Sequence, residues 1–169
     1  MTTVAASESG ASRQREGGRA IAPGSVSRPL IELTIAGLPV AQGSKRWTGR
    51  TVIESNDKLL RPWRAAVAAE ASEAMAGAEP LQGPIRLHAT FTFPRPKVHY
   101  GTGRNAGQLK PGVPLARPIK PDLDKLVRAL FDAMSGIVYR DDAQVVELVA
   151  RKLYGSPAAR VVVVEWSGT

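Results

Sequence analysis

The chain has 169 residues and a formal net charge of +8, from 23 Lys and Arg against 15 Asp and Glu. This length allows one domain with a buried core, and the positive excess favours polyanionic partners, nucleic acid first and anionic membrane second. The absence of cysteine excludes disulfides, thiolate zinc sites and cysteine nucleophiles, and two histidines leave little for a Ser-His-Asp triad. Because no apolar stretch has transmembrane length and no signal-peptide core is visible, we expect a cytoplasmic protein with no membrane partner.

The chain is predicted to begin with a tail, a strand and a loop. Residues 1–28 consist mainly of Ser, Gly, Ala and Arg, which predicts a disordered basic tail. Residues 30–38 alternate as a first strand, and residues 39–50 follow as a loop. Basic side chains around Trp47 in this loop are suited to gripping a phosphate backbone while the ring stacks on a base, although a solvated hairpin loop fits equally well. The candidate DNA contacts in this loop are Lys45 and Arg46.

A helix and a second strand come next. Residues 57–76 predict a helix, with Leu60 or Arg61 as an alternative start because Pro62 is tolerated only in the first turn. Residues 85–93 alternate as a strand in which every second side chain is expected to point inward. These inward residues are Ile85, Leu87, Ala89, Phe91 and Phe93.

Residues 94–120, which we call the basic loop, contain no Asp or Glu. Five prolines and four glycines exclude a regular element, so a segment of this length is either disordered or a functional loop. A solvated linker would not need to avoid acidic residues, and we therefore favour contact with nucleic acid. The candidate DNA contacts are Arg95, Lys97, Arg104, Lys110, Arg117 and Lys120.

An amphipathic helix is predicted directly after the basic loop. Asp122 is a natural N-cap whose carboxylate can accept from exposed N–H groups of the first turn. Asp124 is expected in that turn on the solvent side, with Arg128 one turn further along the same face, and Gly136 closes the helix. The apolar stripe consists of Leu123, Leu126, Val127, Leu130, Phe131 and Met134.

Two more carboxylates, Asp141 and Asp142, stand just before a β-branched run. Residues 144–154 and 160–166 predict the last two strands, the latter with a valine run buried throughout. The element order is therefore β-α-β-loop-α-β-β. It predicts a small α/β (α+β) domain over residues 29–169, with a mixed or antiparallel sheet and helices packed on it.

Carboxylates thus come from two element ends, which we expect a tight connection between helix and strand to hold close. Three or four of the carboxylates Asp122, Asp124, Asp141 and Asp142 would then form an oxygen-lined Mg²⁺ site. A simpler interpretation explains the same residues as an N-cap, a helix-dipole partner and a turn. The basic loop favours the metal site, because it leads directly to Asp122 and is suited to holding a phosphate backbone over an ion.

Three segments together resemble the RusA family of Holliday junction resolvases, the phage-derived endodeoxyribonucleases. They are Asp122-Leu123-Asp124, the helix end Phe131-Asp132-Ala133-Met134, and Asp141-Asp142-Ala143-Gln144-Val145-Val146. The resemblance covers the whole chain except the tail. It implies a homodimer that binds four-way DNA junctions and nicks two strands symmetrically in recombination and repair, with Mg²⁺ or Mn²⁺ and no small-molecule cofactor.

The resemblance also implies the catalytic residues. The family's essential aspartates fall on Asp122, Asp124 and Asp142, and its catalytic lysine is replaced here by Arg128. Asp141 is then either a partner of a metal ligand or a loop cap. Lys125 is nearby but turned off that face of the helix. Metal ions held by the aspartates would activate a water and stabilise the phosphorane-like transition state, with a cation assisting.

Two further residues correspond to functional positions of the family. Phe131 corresponds to the phenylalanine proposed to act at the junction centre, although the helical pattern alone places it in the core. Lys152 corresponds to the strand lysine after the second acidic pair, and we expect it to contact DNA. It also remains, beside Arg128 and Lys125, a candidate for the catalytic cation.

Three other functions fit part of the pattern. A restriction-type nuclease requires Pro-Asp and then an acidic-x-Lys segment, and Pro121-Asp122 supplies only the first half. A non-catalytic junction or duplex DNA binder would use the aspartates structurally, and a small RNA-binding protein gains little support from so few aromatic residues. Divalent-dependent nicking of a synthetic four-way junction separates an enzyme from these binders.

Overall fold

The structure is a computed structural model that describes residues 31–43, 45–47, 49–50, 52–54 and 56–166. The tail predicted for residues 1–28 lies outside the described residues. In chain order, the strands and α-helices are β1 (Ile31–Ala36), β2 (Lys45–Trp47), β3 (Val52–Glu54), α1 (Asp57–Met75), β4 (Ile85–Phe93), α2 (Leu123–Met134), β5 (Val145–Tyr154) and β6 (Ala158–Glu165).

The main sheet has four strands in the order β1-β6-β4-β5. β6 is antiparallel to both β1 and β4, whereas β4 and β5 are parallel. A parallel pair requires a long crossover connection, and here the basic loop and α2 together provide it. The predicted small α+β domain with a mixed sheet and two helices is therefore confirmed.

The core lies between one face of this sheet and the two helices. β1 and β4 bury every second side chain, as their alternation predicts. The helices bury Leu60, Trp63, Val67, Ala71 and Met75 of α1 and Leu126, Ala129, Leu130, Ala133 and Met134 of α2. Because only one face is covered, β6 buries Val161 and Val163 but leaves Val162 and Val164 partly exposed, so the prediction of a fully buried valine run was wrong.

One predicted helix start is confirmed, and one predicted loop contains a strand. α1 begins at Asp57, as its predicted range did, and contains Pro62, so the alternative later start was wrong. Proline removes the hydrogen bond to the carbonyl of Lys58, which belongs to an exposed residue and can be hydrated, while Leu60 and Trp63 on either side are buried. The predicted loop 39–50 contains β2, which pairs antiparallel with β3.

The basic loop is irregular, as predicted, but its backbone forms hydrogen bonds at several points. It contains two single 3₁₀ turns and a bridge between Tyr100 and Leu109. Its residues 115–117 then run antiparallel to the end of β5, because Tyr154 N donates to Leu115 O at 3.0 Å and Arg117 N donates to Lys152 O at 3.1 Å. The loop therefore extends the sheet at its β5 edge.

Gln144 holds the connection between α2 and β5 through four hydrogen bonds. Its Oε1 accepts from the backbone N–H groups of Arg140 at 2.9 Å and Asp141 at 3.0 Å. Its Nε2 donates to the carbonyls of Leu81 at 2.8 Å and Gly83 at 2.9 Å. One half-buried amide thus joins this turn to the segment that precedes β4.

We expect Gln144→Ala to lower the free energy of unfolding by about 2 kcal/mol, because it removes these four hydrogen bonds and leaves backbone groups without partners. Urea denaturation should show a lower midpoint at an unchanged slope. Gln108→Ala is the control, since that side chain is exposed and forms no hydrogen bond with the described residues. Equal midpoints for the two variants would contradict the assignment.

Candidate active site

Asp122 stands at the N-cap position of α2, but its side chain does not cap the helix. Its Oδ2 lies 3.3 Å from Nζ of Lys125, and the two side chains are 47% and 42% exposed. The prediction that this carboxylate accepts from first-turn N–H groups was therefore wrong, because the lysine one turn along the helix attracts it outward. An exposed pair of this kind is weak and easily exchanged for another cation.

Asp124 and Arg128 lie on the exposed side of α2, one turn apart. Neither forms an ion pair with any other described residue, so the pairing expected from their spacing is absent. Such a pair stabilises a helix by only about 0.2–0.5 kcal/mol, and hydration of both groups offsets it. Both charges thus remain accessible to a ligand.

Asp141 and Asp142 have different environments in the connection to β5. Asp141 caps a 3₁₀ turn, because its Oδ1 accepts from Ala143 N at 2.8 Å and Gln144 completes the capping box. Asp142 is exposed as the first residue of that turn. Burial raises the pKa of Tyr139 above its ordinary value, and the negative charge of Asp142 raises it further. Of the two possibilities for Asp141, the structure shows the loop cap.

The two pairs of carboxylates lie at opposite ends of α2. The helix has 12 residues, which makes it about 18 Å long. Asp142 follows its C-terminal end, where the Tyr139 hydroxyl lies 3.5 Å from the Phe131 carbonyl O. Asp122 begins the other end, where Lys152 Nζ lies 2.6 Å from the Pro121 carbonyl O.

The length of β5 gives a separation of similar size. A strand rises about 3.3 Å per residue, so the segment from Val145 to Lys152 spans roughly 23 Å. Within residues 31–43 and 56–166 and the short described segments between them, no three Asp, Glu, His or Cys side chains could hold one ion. The expectation that one protomer brings Asp122, Asp124 and Asp142 together was therefore wrong, because the tight connection joins the C-terminal end of α2, not its N-terminal end, to β5.

The cations of the basic loop fall into two groups, one exposed to solvent and one bound to other parts of the protein. The exposed residues are Lys97, Arg104, Lys110 and Lys120. Arg95 instead donates to the Pro114 carbonyl at 2.8 Å and lies 4.9 Å from the ring centroid of Tyr154. Arg117 lies 4.8 Å from the ring centroid of Phe93. Lys152 on β5 donates to the carbonyls of Ile119 and Pro121.

A cleft of about 410 Å³ opens beside Asp122 and Lys125. Sequence reasoning missed two of its residues, Gln42 and Asn56, whose Oε1 and Oδ1 atoms are buried without a hydrogen-bond partner among the described residues. Only the folded structure brings them to this place, since Gln42 N donates to the Lys125 carbonyl at 3.0 Å across a long sequence separation. The complete lining is Ala41, Gln42, Gly43, Asn56, Lys120, Pro121, Asp122 and Lys125.

The remaining residues that were predicted to contact DNA either lie away from this cleft or have side chains that the structure does not describe. Phe131 is partly buried against the core and packs edge-on against Tyr139, with ring centroids 6.4 Å apart. Asp132 in the same helix end forms an ion pair with Arg64 that joins α2 to α1. Lys45 and Arg46 lie on β2, and their side chains are outside the described part of the structure.

Comparisons with known proteins identify the family. The family model described as "Endodeoxyribonuclease RusA" matches residues 36–164. The uncharacterized protein YqaN of Bacillus subtilis (strain 168) is 31% identical over 144 residues, which cover 81% of this chain and 97% of that protein. No helix among the described residues is long and apolar enough to cross a membrane. The chain belongs to the RusA family of endodeoxyribonucleases, DNA-binding nucleases that act on branched DNA and resolve Holliday junctions in recombination.

Proposed function

We propose that this protein is a divalent-metal-dependent resolvase that nicks two strands of a four-way junction symmetrically as a homodimer. The observation that carries the proposal is the N-terminal end of α2. There, two exposed carboxylates, Asp122 and Asp124, directly follow a loop of 27 residues that has no acidic side chain. Carboxylates beside a phosphate-binding surface would otherwise repel the DNA, and a bound cation removes that repulsion.

The donor set suits a hard cation such as Mg²⁺ or Mn²⁺. Asp124 and Asp142 are exposed, and no described residue forms a hydrogen bond or ion pair with either side chain. Asp122 has only its weak contact with Lys125. Magnesium is commonly bound by one or two carboxylates together with substrate phosphates, so a complete cage within one protomer is not required. When bound, the ion would activate a water and offset charge on the phosphorane-like transition state.

The separation along α2 suggests how the three aspartates would act together. A site that combines Asp122 and Asp124 with Asp142 cannot form within one protomer if the fold is retained. We therefore propose that Asp122 and Asp124 of one protomer act with Asp142 of the partner subunit. Twofold symmetry then gives two equivalent sites per dimer, as paired symmetric nicks require.

The remaining basic side chains would bind the DNA and polarise its phosphate groups. Arg128 is exposed one turn along the helix from Asp124, and its guanidinium would donate to a non-bridging phosphate oxygen. Lys125 faces Asp122 and would offset the repulsion between the packed carboxylates. The exposed cations of the basic loop would contact the backbone of the junction arms.

Asp124→Asn and Asp142→Asn should each reduce junction nicking by at least about two to three orders of magnitude, the scale for one lost transition-state partner. Junction binding should remain or tighten, because a negative charge that faces DNA is removed. The two inactive variants, mixed under conditions of subunit exchange, should recover about one quarter of the wild-type active sites, since random pairing gives half heterodimers with one intact site each. Their products should be single nicks.

Mixing Asp122→Asn with Asp124→Asn is the matched control and should restore nothing, because both residues belong to the same half-site. Failure of the first mixture to recover activity, with heterodimers present, would exclude the shared site. Absence of divalent-dependent nicking by the wild-type protein would instead exclude the enzyme and favour a non-catalytic junction binder.

Arg128→Ala should lower the single-turnover cleavage rate by about two to three orders of magnitude, whereas Arg128→Lys should keep substantial activity, because the proposed role is electrostatic. The pH dependence of the lysine variant provides a second measurement. Since arginine hardly gives up a proton, a lysine variant that is markedly faster than wild type at alkaline pH would indicate proton transfer at this position. Near-normal turnover of Arg128→Ala would instead assign this electrostatic role to Lys125.

The double variant Arg104→Ala/Lys110→Ala should weaken junction binding and reduce the slope of log affinity against log salt by about 2, since each lost phosphate contact contributes about 0.9. Arg151→Ala/Arg160→Ala is the charge-matched control, because both residues lie on the open face of the sheet, away from the helices. A change of affinity and slope that is equal in the two double variants would show a general charge effect and not a loop contact.

A further inference from the structure

Three consecutive backbone carbonyls just before α2 accept hydrogen bonds from two basic side chains. Lys152 Nζ donates to Ile119 O at 2.9 Å and to Pro121 O at 2.6 Å. Arg117 donates to Lys120 O, from Nε at 3.2 Å and from Nη2 at 2.8 Å. Every carbonyl of this tripeptide is therefore bound by a cation, an arrangement we call the carbonyl clamp.

The two cations of the carbonyl clamp are themselves fixed to the sheet. The Arg117 guanidinium lies 4.8 Å from the ring centroid of Phe93 on β4 and 5.7 Å from that of Tyr154 on β5. Its backbone N–H donates to the Lys152 carbonyl at 3.1 Å. Lys152 pairs in register with the buried Phe91, so its side chain leaves the strand on the face that carries the core.

The position of Asp122 depends on the carbonyl clamp, because few other contacts fix this residue. It follows Pro121 directly, its side chain does not cap α2, and its exposed pair with Lys125 is weak. Its backbone carbonyl accepts from Leu126 N at 3.2 Å as the first helical bond. The direction in which the chain reaches Asp122 is therefore set by the three carbonyls of the preceding tripeptide.

We propose that Arg117 and Lys152 are positioning residues that fix the backbone before α2 and thereby place Asp122 and Asp124 for phosphodiester hydrolysis. This inference rests on the proposed nuclease function of those aspartates. It assigns both cations to the protein backbone and not to phosphate: two of the three N–H donors of Lys152 are already used, and Arg117 is held between two rings and a carbonyl.

A positioning role and a phosphate contact have different kinetic consequences. Loss of a phosphate contact weakens junction binding and reduces the salt slope by about 1. Loss of positioning leaves binding intact and lowers the rate at saturating junction, since a misplacement of about 1 Å can cost about 100-fold. A charge-conserving substitution separates the two, because it keeps the field on the DNA but changes the hydrogen-bond geometry. A substitution that removes a charge separates them when it is compared with removal of an equal charge elsewhere.

Arg117→Lys is the first test, since it keeps the charge but removes the planar fork and most of the ring contact. Lys152→Met is the second, since it keeps the aliphatic stem and removes the donors. Both should lower the single-turnover rate at saturating junction by about 10- to 100-fold, with the affinity within twofold of wild type and the salt slope changed by far less than about 1. Arg151→Met is the matched control on the neighbouring, opposite face of β5 and should leave the rate unchanged.

Hydrogen exchange of the DNA-free protein gives a readout that is independent of nuclease activity. In both clamp variants, the amides of Arg117 and Leu126, which donate to the carbonyls of Lys152 and Asp122, should exchange at least about tenfold faster than in Arg151→Met, because the segment between them opens locally. Unchanged exchange there would overturn the carbonyl clamp even if wild-type nicking is normal. If the wild-type protein does not nick junctions, the nuclease proposal fails while exchange still tests the clamp. Normal rates at saturation with weaker binding and a smaller salt slope would show phosphate ligands and overturn the positioning role.

Discussion

The parallel pairing of β4 with β5 is the constraint on which the arrangement of this protein depends. Two parallel neighbours cannot be joined by a hairpin, so the chain must leave the end of β4 and return to the start of β5. The basic loop and α2 together make that return, on the face of the sheet that also carries the core. α2 consequently runs opposite to β5, with Asp122 near the end of that strand and Asp142 at its beginning.

This constraint also decides which cations face solvent. The part of the basic loop that lies against β4 and β5 places Arg95 and Arg117 over aromatic rings, where their donors meet backbone carbonyls. The part that extends away from the sheet leaves Arg104 and Lys110 exposed. Composition alone makes these four residues equivalent. The structure distinguishes them, because a guanidinium bound to the protein keeps its charge but has fewer free N–H donors than an exposed one.

The sequence predicted local structure well where one periodicity dominated. The alternation in β4 identified its buried face, because burial on one face determines which residues can occupy it. The predicted stripe of α2 was right in part: Leu126, Leu130 and Met134 are buried, whereas its other three residues are only partly buried. Spacing could not show that Asp122 pairs with Lys125 instead of capping the helix, since several weak contacts of similar energy compete at an exposed helix end. It also missed Gln42 and Asn56, which reach the cleft only through tertiary contacts.

The distance between the carboxylates was misjudged for a different reason. A short connection brings only the C-terminal end of α2 close to the start of β5. Asp122 and Asp124 lie at the opposite end of this 12-residue helix, about 18 Å away. The resemblance to a known family placed both residues in one function without showing that one chain brings them together. The separation of these carboxylates depends on the lengths of α2 and β5, which are properties of the folded chain and not of the connection alone.

The pairing of residues 115–117 with β5 has a consequence for assembly. An uncovered edge strand offers a row of free N–H and C=O groups that other chains can extend, which is a common origin of aggregation. Here Leu115 and Arg117 already bond to Tyr154 and Lys152, and the prolines that flank this stretch supply no N–H of their own. Two copies of this protein therefore cannot merge their sheets through the last residues of β5. The basic loop, which leads the chain toward Asp122, thus also covers this edge of the sheet against unspecific association.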